Sequence, residues 1–286
     1  MASIGKTAFV LAGGGSLGAV QAGMLAALCD AGTVADFVVG ASAGAVNAGF
    51  FAAEPSLEGA RAMGAAWRGV TRADVMPLTF GNALNVVMRR GYLFHNGPLR
   101  SLLERHIHYA RLEDAAVPVH IVASDVLTGD EVVLSQGPVI DAILASAAIP
   151  GVFPPVRIDG RDLVDGGVAN NTPISTAIRL GARHVIVLPT GFACALSRPP
   201  SGAAARAMNA ISHLVARQLV ADIEHYGAHA RISVVPCICP NDVSPYDYSS
   251  CAGLVDRAET IARAWIEGGG LKGSGVVPEM LHEHRH

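Results

Sequence analysis

Short apolar runs punctuate the chain at residues 7–12 (TAFVLA), 37–40, 119–125 (VHIVASD), 131–135 (EVVLS), 162–164, 184–189 (HVIVLP) and 232–236 (ISVVP). Glycine, proline or aspartate flanks most of them, which predicts β-strands. Between the runs, apolar positions recur three and four apart. That spacing predicts a helix over 17–31, with Val20, Met24, Leu25 and Leu28 on one face and Gly32 as its stop. Further helices are predicted over 43–53, from Pro55 to about Trp67, over 98–106 and 139–147, and from Pro173. Residues 203–225 and 251–267 read as long amphipathic helices, and Thr128-Gly129-Asp130 as a hairpin-like turn. The alternation of strand and helix predicts one α/β domain over residues 1–267 with a central, mainly parallel sheet. Residues 72–96 have weak periodicity, two basic residues (Arg89, Arg90) and exposed-looking apolar ones (Met76, Phe80, Met88), as a cap or lid would. Residues 268–286 carry little pattern and are expected to be a flexible tail.

Composition narrows the class. The 286 residues are 51% hydrophobic and 16% charged, with mean hydropathy +0.38, which suits a large buried sheet and some surface that meets lipid. A net charge of −3 and a pI near 6.4 leave no basic footprint, so nucleic acid is excluded as a partner. The five cysteines (Cys29, Cys194, Cys237, Cys239 and Cys251) are odd in number and scattered. Cys237-x-Cys239 lacks zinc-site spacing, so reduced thiols and a cytoplasmic compartment, peripheral to membrane, are expected. Residues 7–12 follow Lys6 like a short signal peptide, but three glycines interrupt the apolar core. Residues 37–53 are uncharged yet too short to span a bilayer.

Two glycine-rich stretches carry the chemistry. GASAG, residues 40–44, lies between a predicted strand and a predicted helix, where small neighbours of Ser42 permit a sharp turn that lifts its hydroxyl toward a substrate. Gly13-Gly14-Gly15-Ser16-Leu17-Gly18 lies at the preceding strand-to-helix junction, where backbone N–H groups and a helix N-terminus favour an anion. The same letters fit the dinucleotide fingerprint, which wants an acid at the end of the next strand. That strand ends in Gly40-Ala41-Ser42, and the nearest acid, Asp36, precedes it. In a right-handed βαβ unit both loops emerge at the carboxyl edge of the sheet. A nucleophile there converges with the donors near Gly14 and Gly15, the arrangement acyl transfer needs.

A serine needs a base. None of the eleven histidines sits in a glycine-rich turn. His106, His108, His213, His225 and His229 read as helix positions, His184 opens a strand at the opposite edge, and His282, His284 and His286 belong to the tail. Asp165 ends a predicted strand and precedes Gly166 and Gly167, which permit close backbone approach. An ordinary turn aspartate is the other reading of that position. As a base, Asp165 needs burial to raise its pKa.

GGGSLG, GASAG and DGG, in that order, resemble the patatin-like phospholipases. The likeness extends to SDVLTGDEVVL (124–134), SAAIPGVFPP (146–155) and SPYDYSSC (244–251), and covers most of residues 6–67 and 91–265. It implies a three-layer α/β/α fold and a serine–aspartate dyad that hydrolyses fatty-acyl esters of lipids without metal or cofactor. By position, Ser42 is then the nucleophile and Asp165 the base. The loop Gly13, Gly14, Gly15 and Ser16 is the oxyanion hole, and Gly18, Gly40, Gly44, Gly166 and Gly167 support the turns. Many family members carry a basic residue where this chain has Leu17, which weakens the implication of an anionic head group.

The expected substrate is a fatty-acyl ester or phospholipid, met by transient contact with a membrane surface through the apolar region from Met76 to Phe94; an ordinary core is the other reading of that region. Two rivals stand beside the hydrolase. One is a non-catalytic nucleotide- or anion-binding regulatory module built on the glycine loop. The other is a histidine-dependent triad using His184, His213, His225 or His229. The tail LHEHRH reads as a solvated end and no metal site is expected.

Overall fold

In a computed structural model of the chain, the described residues are 5–77, 91–191, 201–239 and 243–272. Strand β1 (Lys6–Leu11) leads through a 3-10 turn (Gly15–Gly18) into helix α1 (Ala19–Asp30), and β2 (Phe37–Ala41) leads into α2 (Ala43–Ala53). Helices α3 (Leu57–Gly69), α4 (Arg72–Val75) and α5 (Gly97–His106) precede β3 (Val119–Asp125), β4 (Glu131–Leu134), α6 (Val139–Ser146), β5 (Val156–Ile158) and β6 (Arg161–Asp165). The chain continues through α7 (Gly167–Asn170), α8 (Ile174–Arg179), β7 (Ala182–Leu188), α9 (Ala203–Tyr226), β8 (Arg231–Val234) and α10 (Cys251–Glu267).

These strands form one sheet in the order β5-β6-β3-β2-β1-β7-β8, with β4 paired to β3. From β3 through β8 every neighbouring pair is parallel, whereas the β3–β4, β3–β6 and β5–β6 pairs at the other end are antiparallel. The parallel strands read as unbroken apolar runs because both faces are covered. Phe9, Leu11, Val38 and Ile121 point into one core, while Ala8, Val10, Val39 and Val122 point into the other. α1, α2, α3, α5, α6 and α10 cover the first face; α8 and α9 cover the second through Ile174, Ala177, Leu219 and Ile223. The fold is therefore a three-layer α/β/α sandwich around a mainly parallel sheet. α1 is buried nearly all round, and Gly23 lets α10 cross close to it: a Cβ there would meet the Val255 carbonyl oxygen at 2.2 Å.

Several boundaries differ from the sequence pattern for local reasons. α1 begins at Ala19 because Gly15–Gly18 forms a 3-10 turn, and α3 begins at Leu57 because Ser56 caps it by accepting the Gly59 N–H at 3.1 Å. The β5–β6 hairpin was not expected, since three-residue β5 is too short to show a period. Its turn is Asp159-Gly160, both at positive φ (48° and 79°), as a tight hairpin requires. The expected exposure of Met76 is corrected: Met76 and Phe94 are both buried in the core of the thicker layer. The rest of the proposed cap, residues 78–90 with Phe80, Met88, Arg89 and Arg90, lies outside the described residues, as does the tail from 273. Among the described residues no helix is long and apolar enough to cross a membrane.

Candidate active site

Ser42 is the single residue between β2 and α2. Its φ of 55° is one that a side chain disfavours. Both glycines of GASAG are there because the turn is tight. A Cβ on Gly40 would stand 2.2 Å from the Gly44 carbonyl oxygen, and one on Gly44 would stand 2.1 Å from that of Leu11. The turn leaves Ser42 8% exposed at the carboxyl edge of the sheet.

Asp165 reaches the same point from another direction. β3 pairs with β4 along residues 121–124, and with both β2 (through Val122) and β6 (from Ala123). A strand has two flanks, so β2 and β6 share the one that β4 leaves. Ala41 pairs with Val122 and Asp165 with Ala123, adjacent residues of β3. The ends of β2 and β6 thus meet, and the Ser42 hydroxyl donates to Asp165 Oδ2 at 2.7 Å. The other carboxylate oxygen accepts the Gly167 N–H at 2.7 Å. Asp165 is 6% exposed. Burial pushes its pKa up to about 6, against the smaller lowering effects of the bonds from Ser42 and Gly167.

The glycine loop lies against this pair. A Cβ on Gly13 would be 2.9 Å from the Ser42 Cβ, and Gly15 has a φ of 59°. The Gly13 N–H donates to the Asn171 carbonyl at 3.1 Å and the Ser16 N–H to that of Pro245 at 2.8 Å. Among the described residues no acceptor takes the Gly14 or Gly15 N–H. Of the four loop residues singled out in the sequence, Gly13 and Ser16 thus have their amides engaged, and Gly14 and Gly15 have no acceptor among the described residues. Leu17 packs against the core of the thicker layer.

Polar residues that the motifs did not single out brace the loop. Buried Gln21 donates to the Ala12 and Leu188 carbonyls, at 2.9 and 2.8 Å. Asn47 donates to the Gly18 carbonyl and to Gln21 Oε1, and accepts the Trp67 indole N–H at 2.8 Å. Thr190 donates to the Gly13 carbonyl at 2.6 Å. The available signal was a polar residue inside each of two otherwise apolar helices, since such a group is buried only with partners.

Ser42 and Gly15 open onto a cleft of about 860 Å³, mouth included. Its walls are almost wholly apolar: Val46, Met63, Leu99, Leu103 and Phe153 are among them. His106, the last residue of α5, also lines it, half-buried near the Phe50 ring, and its pKa is lowered by burial. The four histidines of the triad alternative lie elsewhere, His213 being exposed on α9. His184 pairs in register with Thr7 near the start of β1, and its Nε2 is 3.0 Å from Ser233 Oγ. His225 and His229 stand beside Tyr226 at the end of α9. Asp36 also sits at the far end of the sheet, accepting the Thr7 N–H at 2.6 Å, away from the glycine loop.

The model of the patatin-like phospholipase family matches residues 9–178. Patatin-like phospholipase domain-containing protein 7 of Mus musculus is 30% identical over 186 residues, which are 64% of this chain and 13% of that protein. An uncharacterized NTE family protein of Mycobacterium tuberculosis is 32% identical over 164 residues, 57% of this chain and 27% of that protein. Neuropathy target esterase sws of Drosophila melanogaster is 27% identical over 184 residues, 64% of this chain and 13% of that protein. The match thus spans a minor part of each relative. Among solved structures, human GIVD cytosolic phospholipase A2 in complex with methyl gamma-linolenyl fluorophosphonate superposes with a TM-score of 0.53 at 13% identity. That match covers 93% of this chain and 59% of that one, a likeness of fold.

Proposed function

This chain belongs to the patatin-like phospholipase family, and on that premise we propose that residues 1–267 are a lipid acyl hydrolase of phospholipase A or lysophospholipase type, working through Ser42 and Asp165. The observation that carries the proposal is the 2.7 Å hydrogen bond from the Ser42 hydroxyl to a buried carboxylate, at the lip of an apolar cleft. The cleft suits an acyl chain: apolar lining with a few polar groups at one place is what binds and orients such a ligand.

Asp165 accepts the hydroxyl proton as Ser42 Oγ attacks the ester carbonyl. The negative charge on the carbonyl oxygen is met by the N–H groups of Gly14 and Gly15, each worth about 3 kcal/mol of barrier. As the tetrahedral centre collapses, the ester C–O bond breaks and Asp165 passes its proton to the departing alcohol or lysolipid. Water then gives a proton to Asp165 and attacks the acyl-enzyme, the Ser42 oxygen leaves with that proton, and the fatty acid is released. Burial supports the role of Asp165, because a carboxylate with a pKa near 6 is a better base than an ordinary one. The acyl chain reaches the cleft by transient contact with a lipid surface.

A fluorophosphonate probe, followed by p-nitrophenyl esters of increasing length and then defined phospholipids and lysophospholipids, tests the proposal with Ser42→Ala as control. Adduct at Ser42 and turnover lost in the variant are expected. Folded protein with neither adduct nor turnover above the variant would refute it. Thermal stabilisation by a nucleotide in such protein would favour an anion-binding module.

A further inference from the structure

Ser146, the last residue of α6, touches both halves of the site and is wholly buried. Its Oγ accepts the Ser42 N–H at 2.9 Å and donates to the Val122 carbonyl. Its own carbonyl accepts the Gly166 N–H at 3.1 Å, and two residues on, the Ala148 carbonyl accepts the Asp165 N–H at 3.0 Å. One helix end therefore holds the backbone of both Ser42 and Asp165.

The need for such a holder follows from the ladder. β2 pairs with β3 only as far as Ala41 and Val122. At Ser42 the chain turns away at positive φ, which would leave its N–H without a strand partner in a buried place. The Ser146 hydroxyl fills the gap, extending the ladder by one rung through an oxygen that both accepts and donates. An alanine at 146 would leave the Ser42 N–H and the Val122 carbonyl without that bridge, and the turn would be free to relax.

We propose that Ser146 is a positioning residue of the Ser42–Asp165 pair, its hydroxyl relaying a hydrogen bond from the Ser42 N–H to the Val122 carbonyl and so aiming Ser42 Oγ at the carboxylate. This rests on the hydrolase reading given above. It also removes the Ser42 amide from the donors that could meet a substrate oxygen, consistent with that task falling to the glycine loop.

Kinetics on a short p-nitrophenyl ester test the proposal with Ser146→Ala. The expected result is a fall in kcat of about 30-fold, the effect of a lost buried hydrogen bond on the reacting geometry, with KM changed less than about twofold. Fluorophosphonate labelling of Ser42 slows by the same factor. The acid limb of the kcat/KM profile moves upward, because the bond from Ser42 helps keep Asp165 ionised and would weaken. Tyr246 faces Asp165 and does not titrate in that range, because burial and the Asp165 charge raise its pKa above the usual phenol value. Ile232→Ala, a cavity in distant β8, controls for loss of stability and leaves kcat and the limb in place. Where Ser146→Ala does not fold, Ser146→Cys keeps the shape and weakens the acceptor, and an intermediate kcat is expected. An alanine or cysteine variant within threefold of the parent kcat overturns the proposal, and so does a fall without movement of the labelling rate and the limb. Activity surviving in Ser42→Ala would instead overturn the hydrolase reading.

Discussion

Gly166 lies against Ala41: a Cβ added to Gly166 would come within 3.3 Å of the Ala41 Cβ and 2.0 Å of the Val122 carbonyl oxygen. The antiparallel strand β6 therefore ends where the parallel strand β2 ends, with no room for a side chain between them. The residue next to each end belongs to the proposed pair, Ser42 after Ala41 and Asp165 before Gly166. The short reach between hydroxyl and carboxylate is a property of the sheet, and the following predictions test it at separate points.

Ser42 is held at φ 55° and ψ −123°, where a side chain costs about 1–3 kcal/mol. Ser42→Gly and Ser42→Ala both lose the hydroxyl, so their difference isolates the backbone. Glycine is expected to be more stable than alanine by about 1 kcal/mol, after its greater unfolded-state entropy is counted. Denaturant unfolding of the two variants measures this, and an alanine variant as stable as the glycine one would contradict it.

Hydrolysis of a soluble ester should rise with pH through about 6, because Asp165, as the proposed base, has to be ionised to take the proton and its pKa is raised to about that value. A kcat/KM profile between pH 4.5 and 8 reads it directly. A limb near pH 4 would mean that the carboxylate is solvated during turnover.

The same shift is a stability statement. The folded-state pKa of Asp165 exceeds the unfolded one, so the folded protein holds that proton more tightly. Its contribution to stability is full below about pH 4 and is lost as pH rises through 6. Asp165→Asn removes the buried charge while its amide oxygen still accepts from Gly167 and its NH₂ donates to Ser42. The variant should be inactive, similar to the parent at pH 4 and more stable by on the order of 2–3 kcal/mol at pH 8. Equal melting temperatures at both pH values would count against the buried charge.

Asn47 serves three partners at once: the Gly18 carbonyl, Gln21 and the Trp67 indole. Asn47→Ala leaves buried groups unpaired and should cost about 3 kcal/mol. Because Gln21 also holds the Ala12 carbonyl ahead of the glycine loop, kcat should fall about tenfold as well. Unfolding curves and ester kinetics on one preparation check both, and a variant with unchanged kcat would detach the brace from the loop's function.

Ala66 lines the cleft from α3. Ala66→Phe should narrow it, lowering kcat/KM for a sixteen-carbon ester at least about tenfold more than for a four-carbon one, as expected when several methylenes lose burial. A parallel fall for both chain lengths would mean that the acyl chain does not lie there.

Local order was written plainly in the chain. α2 and α10 follow the apolar spacing to the residue, and β3 coincides with VHIVASD, because period and composition act through short-range backbone preference and the burial of one face. GASAG and DGG were readable for the same reason, as glycines mark where backbone must pass close to backbone. Three-residue β5 was not readable, being too short to display a period, and neither was the 3-10 start of α1. The roles of Ser146, Gln21, Asn47 and Trp67 were hidden too. Each is an ordinary residue whose meaning comes from a partner at least nine positions away, and a hydrogen bond between elements leaves no trace in spacing. The residues eligible to be nucleophile, base and donor were thus determined by the sequence alone. That Ser42 and Asp165 touch, and that Gly13 and Ser16 give their amides to other acceptors while Gly14 and Gly15 find none among the described residues, was decided by strand register and helix packing, since only these bring residues 123 positions apart within 2.7 Å.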